Sequence, residues 1–251
     1  MDTSLYVGLS KQMILRRELD VAANNIANAD TTGFKVENIT VAVDPQTPPG
    51  VAKSAQPIQY VIDTGLARNF SQGALQSTGA PLDLAIDGDG FFQVSTAGGT
   101  RYTRDGRFAT NAQGQLVTQT GDAVLDASGS PISLSLTGGP PSIAADGTVS
   151  QSLPGQAQSQ IVGKVGVVSF SSLSALSKNG DGLYSNDGGA QTSPSTKSVI
   201  HQGMLESSNV QPILQVTDLI RISRAYDQLS TMMNNTADLS SRSIQRLGSV
   251  Q

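Results

Sequence analysis

The chain of 251 residues contains no cysteine and no tryptophan, a single histidine (His201), and only 4% aromatic residues. Without cysteine, neither a disulfide nor a thiolate metal site can form. One histidine with no cysteine beside it and no G-x-S-x-G serine leaves nothing to build a nucleophilic dyad, so His201 reads as a surface or packing residue. The G-x-x-x-x-G-K-[ST] phosphate loop is missing, and no G-x-G-x-x-G follows a strand-like stretch. No apolar run approaches the roughly 20 residues of a membrane span. The N-terminus lacks the charged-then-apolar layout of a cleavable secretory signal, so any export is expected to use another route. Net charge is −4 with no basic stripe, which argues against nucleic-acid binding. Glutamate is scarce too: of 20 acidic residues only Glu18, Glu37 and Glu206 are Glu. Aspartate suits turns and glutamate suits helix interiors, so this bias predicts a turn-rich middle and helices with little ion-pair support.

What is present lies first at the two ends. Ser4 to Asn28 holds no proline and one glycine, Gly8, so a helix can run through it. Leu5, Leu9, Leu19, Ala23 and Ile26 fall on a stripe of three- and four-residue steps, interrupted by Gln12 and Arg16. Asn24, Asn25, Asn28 and Gly33 mark its close. From Pro212 to Leu247 the pattern returns as Leu219, Ile222, Tyr226, Leu229 and Met233 at 3-4-3-4 spacing. That is the coiled-coil period, in which each stripe needs a second helix to cover it. The two helices are therefore expected to pair, and these stripe residues with Asn24, Asn25 and Asn28 are the candidate assembly interface. The asparagines would satisfy backbone amides where helices cross, since each both donates and accepts. At about 54 Å, the last helix outreaches a β domain of about 120 residues, whose radius of gyration is about 14 Å. A projecting apolar stripe needs another chain.

Between the ends the period changes. Asp44-Pro45 to Pro57 is too rich in proline for helix or central strand, and 36–80 reads as an extended connector. From Leu82, Leu84 and Ile86 alternate with Asp83 and Ala85, and Asp87-Gly88-Asp89-Gly90 turns the chain into Phe91-Phe92. Asp-Gly recurs at Asp105-Gly106 and Asp146-Gly147, which predicts short strands near 101–104, 107–110, 115–118, 123–126, 132–136 and 164–170. Asp87 and Asp89 make a structural turn rather than a calcium loop, which would end in a bidentate Glu. Arg101, Arg104 and Arg107 read as a solvated sheet face by default, with subunit contact the sharper alternative. The fold class is thus α+β: a helix over 1–35, the connector, an all-β middle over 81–200 of short antiparallel strands, and a helix over 201–251. No catalytic, cofactor or metal site emerges.

Three separated segments carry a resemblance. Leu19-Asp20-Val21-Ala22-Ala23-Asn24-Asn25-Ile26-Ala27-Asn28 with Thr31-Thr32-Gly33-Phe34-Lys35 resembles the N-terminal signature of bacterial flagellar rod and hook proteins, and Gly203 to Val210 resembles their C-terminal counterpart. Thr78 to Phe92, with Tyr102-Thr103-Arg104-Asp105-Gly106 and Gly114 to Thr118, resembles the rod-protein β domain. The opening Leu5 to Ser10 is similar to the proximal-rod type. The resemblance implies a structural, non-enzymatic subunit without cofactor, whose terminal helices form the inner layer of a tubular drive shaft enclosing the export channel. It implies as partners copies of itself, earlier rod subunits, the distal rod protein and the flagellar type III export apparatus, with assembly in the periplasm. A distal rod or hook-type axial protein is the alternative within the family. Outside it stand a secreted β-rich binding module and a peptidoglycan-acting enzyme; the latter would need a paired carboxylate site that the sequence does not offer.

Overall fold

A computed structural model describes residues 2–46, 58–156, 158–195 and 197–248. The chain divides into two compact units. The first comprises helix α1 (Asp2–Ala27), strands β1 (Glu37–Gln46) and β2 (Ile58–Arg68), and helix α2 (Pro212–Gly248). The second comprises residues 28–36 and 70–210.

In the first unit α1 packs on both α2 and the β1/β2 hairpin. Its buried positions are Gly8, Ile14, Leu15, Ala22 and Asn25. Gly8, Leu15 and Ala22 are seven residues apart, so they share one face of the helix. Gly8 lies close against α2: a Cβ there would stand 3.2 Å from both Cγ and Sδ of Met233. The hairpin runs antiparallel from Glu37 opposite Arg68 to Gln46 opposite Ile58, with a bulge at Thr40/Val41. Gly65, at φ 130, sits opposite Thr40 and supplies the backbone conformation that the bulge requires. Arg17 on α1 reaches Asp63 on β2 at 2.6 Å.

The second unit is built on a nine-stranded antiparallel sheet. β3 (Leu75–Ser77) and β4 (Leu84–Asp87) pair with the late strands Met204–Glu206 and Val199–Gln202, respectively. β5 (Phe91–Thr96) and β6 (Gly99–Thr103) form a hairpin at the centre of the large sheet. Leu84, Ile86, Phe92, Val94, Phe108, Leu116 and Val124 are the middle of its core. The bend at 87–90 forms with Gly88 and Gly90 at positive φ, but it is not the expected hairpin, since β4 pairs with Val199–Gln202 and β5 with β6; the alternation is lost too, because Leu84, Ala85 and Ile86 are all buried. The segment expected as a strand over 132–136 is held by single bridges instead: Ser133 pairs with Gln115, and Leu134 donates to the Gly114 carbonyl.

Three boundaries differ from the sequence reading. The expected connector over 36–80 holds the β1/β2 hairpin and β3; much of its proline-rich part, 47–57, lies outside the described residues. The first helix stops at Ala27, and residues 28–36 belong to the second unit. The last helix starts at Pro212, because 201–206 is consumed by strands pairing with β3 and β4.

Candidate functional site

Two junctions bring the distant motifs together, one in each unit. In the first unit Asn25, 1% exposed, lies at the end of α1. Its Nδ2 donates to the Glu37 carbonyl at 2.8 Å and to Gln215 Oε1 at 3.0 Å, while its Oδ1 accepts the Glu37 N–H at 3.0 Å. One amide therefore satisfies both backbone groups of the first β1 residue and reaches the first turns of α2. Glu37 in turn receives Arg68 at 2.9 Å across the base of the hairpin.

The other candidate interface residues are placed unevenly. On α2 Ile222 is buried, and Leu219, Tyr226, Leu229 and Met233 are half-buried. On α1 Leu5, Leu19 and Ile26 are half-buried, while Leu9, Ala23 and Asn24 are exposed. The face of α1 that is most covered lies one residue away from that stripe. Asn28 is half-buried beyond the helix, where its carbonyl accepts the Thr31 N–H and its Oδ1 the Thr31 hydroxyl.

In the second unit Glu206 is the centre. Its Oε1 takes Lys35 Nζ at 2.6 Å and the Gly73 N–H at 2.9 Å, and its Oε2 takes Arg104 Nη1 at 3.1 Å. The Lys35 and Glu206 side chains are both 0% exposed. Lys35 also donates to the Ser71 carbonyl, and Arg104 Nη2 to the Gly88 carbonyl. Burial away from water pulls the Lys35 pKa below its ordinary value; Glu206 opposes that shift and the Arg104 charge adds to it.

Backbone closes the same junction. The Gly33 N–H donates to the Glu206 carbonyl, and a Cβ on Gly33 would stand 2.6 Å from the Arg104 carbonyl carbon. At φ +68 Gly33 does adopt the left-handed conformation. It does so six residues past the helix end, where it admits the Arg104 backbone. Asn209 accepts the Val36 N–H and donates to Ser71.

This cluster corrects the reading of the arginines. Arg104 is 4% exposed rather than solvated, because Glu206, on the strand paired with β3, pairs with it in the interior. Arg101 is half-buried, and Arg107 pairs with Asp105 at 2.7 Å near the surface. Lys35 and Glu206 were missed as a pair. One of only three glutamates, set directly after Met204 and Leu205, was the available signal, since a buried charge needs a partner. With two cations and a backbone amide on Glu206, the cluster fastens three segments of chain. His201 stays half-exposed, with Nε2 3.6 Å from Asp87.

The segments that meet here are also those that match known proteins. Residues 5–35 match the model for flagella basal body rod proteins, 85–170 the flagellar hook protein FlgE/F/G D1 domain, and 201–246 the C-terminal region of flagellar basal body rod FlgEFG proteins. Over 250 residues the chain is 51% identical to the flagellar basal-body rod protein FlgF of Caulobacter vibrioides, covering all of both chains. The chain belongs to the flagellar basal-body rod protein family. It is 36% identical to FlgF of Mesorhizobium japonicum, over 99% of each chain, and 34% identical to the rod protein FlgG of Bacillus subtilis, over 94% of this chain and 96% of that one. As a rod-family member it is a structural subunit of the flagellar basal body. The rod-family signatures at its two ends and in its β region are the segments from which Lys35, Glu206 and Arg104 come.

Proposed function

We propose that this chain is an axial subunit of the proximal rod, joined to copies of itself and to other rod proteins in a helical drive shaft that transmits torque around the export channel. The observation that carries it is apolar surface left over on both helices. Tyr6, Leu9 and Met13 are exposed at helical spacing on α1, and Ile213, Val216, Ile220, Met232 and Leu239 are exposed on α2. That much apolar side chain on two helices of one subunit suits burial against further subunits. A heterologous contact that does not close on itself generates a helical tube. The proximal assignment is supported by 51% identity to a FlgF against 34% to a FlgG.

On this reading the two helices pair as part of a coiled-coil-like inner layer, with Leu5, Leu9, Leu19, Ala23, Asn24, Asn25, Ile26, Asn28, Leu219, Ile222, Tyr226, Leu229 and Met233 at or beside its contacts. The chain leaves the cytoplasm unfolded through the flagellar export apparatus and folds as it joins the rod in the periplasm. No catalytic step is involved. No helix among the described residues is long and apolar enough to cross a membrane. Electron microscopy of the purified chain mixed with its rod partners tests the reading: ordered tubes are expected, and a chain that stays monomeric with every partner would defeat it.

A further inference from the structure

Segment 199–206 ties together parts of the second unit that are far apart in the chain. Among the described residues Val199–Gln202 pairs only with β4, and Met204–Glu206 only with β3. Ile200 enters the same core cluster as Leu84, Ile86 and Phe92, and its N–H donates to the Ala145 carbonyl. Gln202 accepts the Ile143 N–H and donates to the Pro81 and Pro141 carbonyls at 2.7 and 2.8 Å. Glu206 then reaches Lys35, Gly73 and Arg104, which lie 171, 133 and 102 residues away in sequence. The segment is laid across the unit like a strap.

The stretch from Phe91 to Val124 is, by contrast, a local meander. β5 pairs with β6, Phe108–Thr110 with Leu116–Thr118, and Ala123–Val124 returns to β5. Pairings so close in sequence form readily when nothing opposes them. Arg104 opposes them. It follows directly on β6, is 4% exposed, and lies with its guanidinium carbon 5.2 Å from the centre of the Phe91 ring. The carboxylate that meets its charge comes from the strap, and Lys35, whose side chain is 0% exposed, relies on the same one. Without Glu206 the unit would enclose two cations with no counter-ion between them, and β3 and β4 would lose the strands paired with them. A stranded buried charge costs more than a few short strands return.

We propose that 199–206 is a closing strap on which folding of the second unit is conditional: the meander stays open until Glu206 seats between Lys35 and Arg104. A chain whose C-terminal end is still held elsewhere then carries no folded β unit. The proposal goes beyond the rod reading and stands whether or not that reading does, since neither helix takes part. The test is amide hydrogen exchange of the full chain at rising, sub-denaturing urea. The Ile200 and Gly203 amides, which donate to the Ala145 and Asp83 carbonyls, report on the strap. The Leu116 and Leu125 amides, which donate to the Ile132 and Gln93 carbonyls, report on the meander. All four are expected to exchange through one opening with one urea slope. Glu206→Gln should speed exchange at all four by a common factor, on the order of a hundredfold. Ile200→Val, which leaves the charges in place, should do so by a common factor of about two to ten. Should Glu206→Gln fold too weakly to be measured, the Ile200→Val comparison alone decides. Exchange at Ile200 and Gly203 while Leu116 and Leu125 stay protected, or a variant that speeds the strap amides alone, would overturn the proposal.

Discussion

Removing the Glu206 carboxylate would leave Lys35 and Arg104 facing each other in the interior. Breaking a buried ion pair from one side costs roughly 3–5 kcal/mol, because the surviving charge has lost its counter-ion. Glu206→Gln is therefore expected to lower stability by that order in urea unfolding. Adding Lys35→Met should restore part of the loss, since it removes one stranded cation and substitutes an apolar side chain of similar length. A Glu206→Gln variant as stable as the parent, or a double variant weaker than the single, would refute this account. At Gly33 the argument is steric: with φ +68 and the Arg104 backbone 2.6 Å from a Cβ, even alanine forces the two segments apart. Asp126 gives the pH dependence. The Ser128 hydroxyl, helped by the Ser130, Ser128 and Gly129 N–H groups, holds its pKa below the ordinary 3.8. A depressed carboxylate contributes stability that is present above the unfolded-state pKa and is lost as pH falls through the lower folded value. The melting-temperature gap between the parent and Asp126→Asn should accordingly narrow as pH drops below 3.8; a gap constant from pH 6 to pH 2 would rule the contribution out.

Helices and strands show which signals the sequence carries and which it hides. The α2 stripe was legible because Leu219, Ile222, Tyr226, Leu229 and Met233 are all large and apolar, and they are half-buried or buried. The α1 stripe was not, because its buried face mixes Ile14, Leu15 and Ala22 with Gly8 and Asn25, and a hydrophobic count does not select the last two. A glycine at a close crossing and an asparagine serving backbone groups are both invisible to periodicity. The hairpin β1/β2 was hidden for a different reason: Pro45 and the prolines beyond it suggested a connector, yet an isolated two-stranded ribbon tolerates proline at its end. Of the Asp-Gly sites, Asp146-Gly147 does join paired strands, Ser142–Ile143 and Thr148–Gln151, whereas at 87–90 and 105–106 the flanking strands find partners elsewhere in the chain, which local backbone geometry does not encode. Asn25→Leu tests the α1 junction. It removes the Asn25 amide that serves the Glu37 N–H and carbonyl from a position 1% exposed, at a cost of about 1–3 kcal/mol. Faster hydrogen exchange at the Glu37 amide, with the amides of β5 unchanged, is the expected result. Unaltered exchange at Glu37 would mean that the amide has another acceptor.

For the molecule as a whole, the two units present different kinds of surface. The second unit buries most of its large hydrophobics in two clusters and exposes scattered ones such as Leu136 and Ile161, whereas the first leaves rows of them outside on its helices, with Ile213 at 82% and Met13 at 66% exposure. Stability and assembly should therefore separate under mutation. Tyr6, Leu9 and Met13 contribute little to the folded subunit, since exposed side chains have few neighbours to lose, and surface substitutions usually stay within about 0.5 kcal/mol. A triple change of these residues to serine should leave the thermal transition of the dilute chain nearly in place. In the rod the same side chains would be buried at about 25 cal/mol per Å² of apolar surface removed from water, and their loss would accumulate along every repeat of the helix. The triple variant is thus expected to abolish tube formation with rod partners and to leave cells expressing it non-motile. If it assembles as the parent does, the outward stripe of α1 is not a subunit contact; if it unfolds, those residues belong to the subunit's own core.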